Sequence, residues 1–306
     1  MTVLLTGASG LIGRHTLERL LERGEAVRTF QRGPRGPRGP RGRDEQHGRD
    51  EQRGAGGRDG SLVEDIAGDV CTDRAALCQA ARGCRAVVHL AGRGDVGESR
   101  RDPVGYAQLN AMGALHALEA ARAARASFVL ASSQRVYPLG ATPRHEDQAL
   151  GPDSPYGYAK WAAELWCRMA SEQFGLTTTV LRLFSVYGPG QQPNGGSGVV
   201  SIFAAAARAG APLIVQSAGR RDFTDARDVA EAIALAVDRP PDGRYGVYNI
   251  ATGQGTTFGA LAACIVEPAG RDLVADVSRA KAELGFRARV PLRAGLERYL
   301  AWLDSV

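Results

Sequence analysis

The chain has 306 residues, of which 44% are apolar and 23% charged, a balance typical of a globular protein with a sizeable core. Its formal net charge is +5, but residues 32–60 hold eight arginines against five acids, so the excess is largely local and excludes a general nucleic-acid-binding surface. Scattered cysteines without a C-x-x-C pair, a strand directly after Met1 and no bilayer-length apolar run predict a cytoplasmic protein without signal peptide, metal site or membrane contact.

The chain opens with a strand, a glycine turn and a helix. Residues 2–6 are apolar and β-branched, Gly7, Gly10 and Gly13 follow in a G-x-x-G-x-x-G pattern, and residues 14–23 carry leucines at helical spacing. This order aims the positive end of a helix at an anion, with no side chain in the way. A glycine triplet alone also occurs in ordinary turns, but the flanking strand and helix favour a dinucleotide pyrophosphate site.

Strand and helix patterns then alternate as far as residue 183. Further strands are predicted at 26–30, 62–66, 86–92, 128–131 and 177–183, and helices at 73–82, 104–124 and 154–174. This alternation predicts an α/β fold with a Rossmann-type doubly wound parallel sheet, in which ligands sit at the carboxyl ends of the strands. We therefore expect residues 1–183 to form an NAD(P)-binding domain.

Residues 33–60 interrupt this rhythm. They consist of Gly, Pro and charged residues with almost no apolar side chain, so they cannot bury a core. We expect a disordered insert. An Arg-Gly nucleic-acid-binding segment is the less favoured alternative, because the stretch lacks interleaved aromatic residues and its acids offset much of its charge.

The second half of the chain has a different pattern. Helices are predicted at 199–209, 225–237, 258–266 and 292–303, and short strands at 213–215 and 246–250. We expect residues 184–306 to form mainly a smaller α/β substrate-binding lobe that closes over the cofactor, with residues 225–250 returning to the Rossmann domain.

A tyrosine and a lysine on one predicted helix suggest the chemistry. Tyr156 and Lys160 are four residues apart and share a helix face, and Ser133 ends the preceding strand. A nearby ammonium lowers the pKa of a phenol, so Tyr156 could exchange the proton of a substrate hydroxyl that Ser133 holds. A surface Tyr–Lys pair is the alternative. His89 has no partner at metal-ligand spacing, so we expect a packed core histidine.

With these motifs the chain resembles the extended short-chain dehydrogenase/reductase superfamily, in its nucleotide-sugar epimerase/dehydratase branch. The resemblance covers nearly the whole chain outside residues 33–60. It is carried by T-G-A-S-G-L-I-G from Thr6, G-D-V from Gly68, H-L-A-G from His89, S-S-Q-R-V-Y from Ser132, Y-G-Y-A-K from Tyr156, L-R-L-F-S-V-Y-G-P-G from Leu181 and R-D-F from Arg221.

The resemblance implies a set of site residues. The implied catalytic residues are Ser133, Tyr156 and Lys160. The implied cofactor contacts are Gly7, Gly10, Leu11, Ile12, Gly13, Gln31, Arg32, Asp69, Val70, Leu90, Ala91, Gly92, Asn110, Ser132, Tyr156 and Lys160. The implied substrate contacts are Ser133, Ser185, Arg221 and Arg271, with Arg221 clamping a diphosphate and Arg271 as the remnant of a second phosphate arginine in a shortened lobe.

The chain also departs from the family pattern. Gln31 and Arg32 stand where an acid usually meets the adenosine ribose of NAD, which makes NADP an alternative cofactor. Gln134 and Arg135 replace the Asp-Glu pair of the 4,6-dehydratases, and without an acid to protonate a leaving hydroxyl, dehydration is disfavoured. Ser185 replaces a substrate-binding Asn and weakens the nucleotide-sugar assignment slightly.

Together these features imply an NAD(P)-dependent nucleotide-sugar epimerase, with 4-epimerisation of a UDP-sugar through a transient 4-keto sugar as the leading hypothesis. One alternative is an NADPH-dependent ketoreductase of a nucleotide-linked keto-deoxysugar or secondary metabolite. Another is a non-catalytic dinucleotide-binding sensor. The resemblance also implies a homodimer that pairs through the helices at 104–124 and 154–174.

Overall fold

The computed structural model describes residues 1–33, 62–140, 143–191, 198–213, 219–263 and 274–305. The predicted insert at 33–60, apart from its first residue, lies outside the described residues, and so do Arg271 and most of the strand predicted at 213–215.

Strands and helices alternate in the order expected from the sequence. The strands are β1 (Thr2–Thr6), β2 (Ala26–Gln31), β3 (Val63–Ala67), β4 (Cys84–His89), β5 (Ser127–Ser133), β6 (Thr178–Leu183), β7 (Val186–Tyr187), β8 (Arg220–Asp222), β9 (Thr224–Asp225), β10 (Tyr245–Ile250) and β11 (Gly255–Thr257). The α-helices are α1 (Leu11–Glu22), α2 (Arg74–Ala81), α3 (Val96–Arg101), α4 (Pro103–Tyr106), α5 (Gly113–Ala124), α6 (Pro155–Phe174), α7 (Val199–Arg208), α8 (Ala226–Asp238), α9 (Phe258–Ala263) and α10 (Leu292–Asp304).

The main sheet is parallel and doubly wound. Among the described residues it has seven strands in the order β10-β6-β5-β4-β1-β2-β3, so the order reverses beside β1. Thr6 at the end of β1 pairs with Phe30 on one side and with His89 on the other, which brings the carboxyl ends of three strands to one edge. This arrangement confirms the predicted Rossmann-type fold and creates a ligand crevice at the reversal point.

Helices cover both faces of this sheet. One apolar cluster joins α1 and α8 to the sheet through residues such as Leu17 and Ile233, and another joins α2, α5 and α6 through residues such as Leu77 and Leu118. Because β1 is buried on both faces, its apolar run Val3–Leu5 has no alternation. Each such fully buried side chain stabilises the fold by about 1.5–3 kcal/mol.

A smaller cluster lies next to the carboxyl edge of the sheet. Its core contains Phe203 of α7, Phe258 of α9 and Tyr299 of α10, and two short sheets, β8–β11 and β7–β9, border it. In contrast, β10 pairs with β6 in the main sheet and α8 packs against α1. The division of the chain at residue 183 stays a prediction.

The helix predicted at 104–124 differs from a regular α-helix. It consists of α4, a π-helical segment at Ala107–Met112, and α5. A π-helical turn takes in one extra residue and rotates the side chains that follow. Asn110 and Ala111, two adjacent residues of this segment, are both buried.

The glycine turn after β1 generates a prediction about stability. A Cβ atom on Gly13 would lie 2.1 Å from the carbonyl oxygen of Gly7, a backbone atom that cannot move aside. We expect Gly13→Ala to lower the free energy of unfolding by about 2–3 kcal/mol in urea-induced unfolding. Gly243→Ala is the control, because its Cβ would meet nothing within 4 Å, and it should change stability by less than about 0.5 kcal/mol. Equal midpoints for the two variants would contradict this expectation.

Candidate active site

A cavity of about 630 Å³ opens at the carboxyl edge of the main sheet, between the sheet and the smaller cluster. A volume of this size suits a small-molecule ligand. The residues predicted from the sequence that line it are Gly7, Gly10, Leu11, Ile12, Gly13, Leu90, Gly92, Ser132, Ser133, Tyr156, Lys160, Ser185 and Arg221.

The glycine turn forms one end of this cavity. Gly7 has a φ of +73°, and a Cβ there would lie 2.6 Å from the backbone nitrogen of Ala91 at the end of the neighbouring strand. Gly10 is the N-cap residue of α1 and has no side chain to accept hydrogen bonds from the first amides of this helix. These amides therefore remain available to an anion. The backbone at this end therefore fits the pyrophosphate of a dinucleotide.

The predicted adenosine contacts lie beyond β1 and do not line the cavity. Gln31 ends β2 and is buried, and its Oε1 atom has no hydrogen-bond partner among the described residues. Arg32 is exposed, with its Nε atom 3.9 Å from the Asp69 carboxylate, while Val70 packs into the core below α5. An arginine replaces the usual acid at this edge, but Asp69 supplies a carboxylate nearby.

The three predicted catalytic side chains converge because α6 begins beside the end of β5. The Ser154 hydroxyl caps α6 by accepting a hydrogen bond from the Gly157 amide, and Tyr156 and Lys160 then face the cavity with Ser133. Burial raises the pKa of Tyr156, and the Ser133 hydroxyl and the Arg135 guanidinium act in the opposite direction.

Lys160 lies deeper than the sequence suggested. Its side chain is 6% exposed, and its ammonium donates a hydrogen bond of 2.9 Å to the Ala131 carbonyl. Burial lowers the pKa of Lys160 to about 8, and the Glu164 carboxylate one turn further along α6 partly offsets this effect. That Lys160 supplies the charge acting on the phenol stays a prediction; Arg135 is a further cation that opposes the rise in the Tyr156 pKa.

Glu164 is a residue that the sequence reading missed. It is buried, receives two guanidinium nitrogens of Arg182 at 2.7 and 3.1 Å, and accepts a hydrogen bond from the Ser132 hydroxyl. The available signal was its i+4 spacing from Lys160, which places both on one face of α6. Glu164 thereby connects α6 to the ends of β5 and β6.

Asn110 acts on the loop after β4 rather than on the cavity itself. Its Oδ1 atom accepts a hydrogen bond from the Arg93 amide, and its Nδ2 atom donates to the Arg93 carbonyl, both at 3.1 Å. A Cβ on Gly92 would lie 2.4 Å from Asn110 Oδ1 and 3.4 Å from Lys160 Nζ. Asn110 therefore holds the loop at residue 93, and its role as a cofactor contact stays a prediction.

Arg221 lies on β8 and lines the cavity. In the described part of the chain its guanidinium donates no hydrogen bond, and it lies 5.7 Å from the ring centroid of Phe258. Burial and the charge of Arg135 lower the pKa of Arg221 to about 10. An anionic ligand would raise the pKa of Arg221 again, because an opposite charge favours the charged guanidinium. Asp222 holds the strand in place by accepting hydrogen bonds from Thr252 and Gly253.

Other candidate groups are accounted for elsewhere. His89 is buried, hydrogen-bonded to Thr6 at 2.9 Å, and its pKa is lowered to about 3 by burial and by Lys160, so its ring is neutral. Within the described ranges no group of His, Cys, Asp or Glu side chains could hold a metal ion. The search of the same residues for a helix capable of crossing a membrane found none.

The fold and this cavity define a dinucleotide-binding α/β protein. Residues 3–251 match the model of the NAD dependent epimerase/dehydratase family, and the chain belongs to this family. This confirms the resemblance drawn from the sequence motifs.

The chain is similar to several characterised relatives along most of its length. It is 28% identical to the UDP-glucose 4-epimerase of Mycolicibacterium smegmatis, over 97% of each protein. It is 30% identical to the UDP-glucuronate 4-epimerase of Thermodesulfobacterium geofontis, over 71% of this chain and 72% of that protein. MoeE5, solved in complex with UDP-glucuronic acid and NAD, is 29% identical, with a TM-score of 0.83 over 99% of each chain.

The buried ammonium of Lys160 generates a prediction about pH and stability. Because its folded pKa of about 8 lies below the ordinary lysine value of 10.5, the lysine stabilises the fold above pH 10.5 and loses this contribution as the pH falls to 8. We therefore expect Lys160→Met to raise the free energy of unfolding at pH 7 by about 1–3 kcal/mol while abolishing activity.

The measurement is urea-induced unfolding at pH 7 and at pH 10.5 without added dinucleotide. The gain in Lys160→Met should shrink as the pH rises, because at pH 10.5 the lysine is neutral in the folded state and only about half protonated in the unfolded state. The exposed Lys281 offers the matched control, and Lys281→Met should show no such gain. A Lys160→Met protein that is less stable than wild type at pH 7 would count against this account.

Proposed function

We propose that this chain is an NAD-dependent nucleotide-sugar 4-epimerase that acts on a UDP-sugar. The observation that carries the proposal is that Ser133, Tyr156 and Lys160 line the same cavity as the glycine turn and Arg221. The relatives named UDP-glucose 4-epimerase and UDP-glucuronate 4-epimerase, and the complex of MoeE5 with NAD, support it.

The residues of this chain supply binding, orientation and proton transfer. When bound, the oxidised nicotinamide supplies a reversible acceptor for the hydride of the sugar C4 carbon. The first-turn amides of α1 and the backbone at Gly7 and Gly92 would hold the dinucleotide, and Lys160 would hold its nicotinamide ribose.

Proton transfer falls to Tyr156. Ionised as the phenolate, its oxygen would take the proton of the C4 hydroxyl and return it to the same oxygen after the sugar has turned over, while the Ser133 hydroxyl holds that oxygen by a hydrogen bond. Phe223 and Phe258 line the cavity and limit access of water to the 4-keto sugar. Arg221 would bind the diphosphate of the substrate.

Dehydration is not part of this proposal. Gln134 and Arg135 line the cavity where an acid would have to protonate a leaving hydroxyl, and the Gln134 amide donates a hydrogen bond of 3.2 Å to the Ser185 hydroxyl. Neither side chain can act as a carboxylic acid at neutral pH.

The test is conversion of UDP-sugars at C4. We expect purified protein with NAD to convert a UDP-sugar, such as UDP-glucose or UDP-glucuronate, into its C4 epimer, detected by NMR. Tyr156→Phe should lower this rate by about 100- to 10,000-fold, because the phenol proton carrier is lost. Tyr158→Phe is the control, since that side chain is on the same helix but 56% exposed.

Two outcomes would overturn the epimerase proposal. One is that the protein binds NADPH in an exchangeable manner, reduces a keto-sugar and forms no C4 epimer. This outcome would favour the ketoreductase that Arg32 at the end of β2 suggests. Unchanged activity in Tyr156→Phe would favour a dinucleotide-binding protein without catalysis at this site.

We also propose a cytoplasmic homodimer that pairs through α4, α5 and α6. The support is a set of exposed large apolar side chains on α4, on α6 and at the end of the π-helical segment that leads into α5, namely Val104, Met112, Tyr158, Leu165 and Phe174. The free thiols of the described cysteines support a reducing compartment.

Light scattering tests the dimer. The wild-type protein should have twice the chain mass of 32.4 kDa, and Leu165→Glu should shift it towards the monomer by placing a charge in an apolar contact. Leu139→Glu is the control, because Leu139 is exposed but lies outside these helices. A monomeric wild type, or equal effects of the two variants, would contradict the proposed interface.

A further inference from the structure

Arg135 bears on the substrate class of the proposed epimerase, and the inference drawn from it rests on the proposed function. Arg135 follows Ser133 by two residues, in the short 3₁₀ turn at Gln134–Val136, and lines the cavity together with Tyr156. Its position is set by the backbone, because the Arg135 carbonyl packs against Gly157, where an added Cβ would lie 2.4 Å away. Arg135 is thus held at the first turn of α6, beside the phenol.

The positive charge of Arg135 has no close counter-charge among the described residues. In the described part of the chain its guanidinium donates no hydrogen bond, and the nearest carboxylate, that of Asp153, lies 4.0 Å away. Asp153 is shared with Arg100 at 3.9 Å, so it does not belong to Arg135 alone. The side chain is 28% exposed, and Arg135 lines the cavity.

The other cations around the cavity have assigned partners or roles. Arg93 pairs with Asp102 at 2.9 Å and Glu98 at 3.4 Å. Lys160 donates to the Ala131 carbonyl. Arg221 is the proposed diphosphate ligand. Arg135 therefore remains as a guanidinium without a ligand next to the reacting end of the sugar.

The shape of a hexopyranose determines what Arg135 can meet. The anomeric carbon that carries the diphosphate and the C4 carbon lie on opposite sides of the ring. With the diphosphate at Arg221 and the C4 hydroxyl between Tyr156 and Ser133, the groups nearest to C4 are the C3 hydroxyl and the exocyclic carbon on C5. A guanidinium presents a planar fork that matches a carboxylate by two parallel hydrogen bonds, and a neutral hydroxymethyl group cannot use it in this way.

We propose that Arg135 is a specificity-determining residue that binds a carboxylate on the exocyclic carbon of the substrate, so that the enzyme prefers nucleotide-linked hexuronic acids over neutral hexoses. The adjacent Gln134 amide, which already bonds to Ser185, supplies a second polar group at the same edge. The neutral sugar leaves the guanidinium without an acceptor, whereas the uronate provides one.

The experiment measures binding to the NAD-loaded protein by calorimetry, with UDP, UDP-glucose and UDP-glucuronate as ligands. The variants are Arg135→Gln and Arg135→Lys, and Arg100→Gln is the matched control because Arg100 shares Asp153 but does not line the cavity. Circular dichroism establishes that each variant is folded.

We expect wild type to bind UDP-glucuronate more tightly than UDP-glucose. Arg135→Gln should weaken UDP-glucuronate binding by about 10- to 100-fold, and UDP or UDP-glucose binding by less than about threefold. Arg135→Lys should recover part of the loss, since it keeps the charge but not the fork. Arg100→Gln should leave all three affinities unchanged.

Three results would overturn the proposal. Equal losses for all three ligands in Arg135→Gln would make Arg135 a diphosphate ligand. Unchanged binding with a lower kcat on every substrate and a shifted pH profile would mean that it acts on Tyr156. Equal wild-type affinity for the neutral and acidic sugars would show no selection. Because calorimetry reports binding whether or not the bound sugar is converted, selective binding without any C4 epimer would overturn the proposed function and leave this inference standing.

Discussion

The buried carboxylate of Glu164 holds together the elements on which the cavity depends. It lies on α6 one turn after Lys160, receives the guanidinium of Arg182 from β6, and accepts the hydroxyl of Ser132 from β5. Tyr156 and Lys160 lie on α6, and Ser133 lies at the end of β5. A buried ion pair of this kind does not by itself add much net stability, because both charges lose their hydration. Its consequence is geometric, since leaving either charge unpaired would cost about 3–5 kcal/mol and α6 therefore has one favoured position over the strand ends.

The same region stores positive charge at a cost in stability. Lys160 is buried, Arg221 is half-buried without a hydrogen-bond acceptor among the described residues, and Arg135 has a carboxylate at 4.0 Å that it shares. The depressed pKa values of Lys160 and Arg221 show this cost, because burial disfavours the charged forms. Dinucleotide and nucleotide-sugar ligands both bring phosphate groups into the cavity. When such a ligand binds, its phosphate charges interact with cations that have already lost part of their hydration. The unfavourable burial of positive charge in the free protein therefore favours the binding of anions.

The sequence contained enough information for the sheet and for the trio of side chains, because both follow from short-range rules. The apolar run of β1, the glycine turn and the helical spacing of Tyr156 and Lys160 are local patterns whose geometry is nearly independent of context. The π-helical turn at Ala107–Met112 was not predictable in this way, since residues in that segment have no local preference for it. It is stabilised by the hydrogen bonds of Asn110 to a loop seventeen positions earlier in the chain.

Electrostatic properties were the hardest to infer from sequence, because they depend on burial and on distant neighbours. Spacing alone placed Lys160 on the same helix face as Tyr156, but it could not show that the ammonium bonds to the Ala131 carbonyl or that Arg135 opposes the rise in the pKa of the phenol. Burial lowers the pKa of the Lys160 ammonium to about 8, so its charge is incomplete in mildly alkaline solution. The positive charge that Lys160 brings to the cavity therefore varies with pH in this range, and the opposite charge of a bound anion would favour the protonated form.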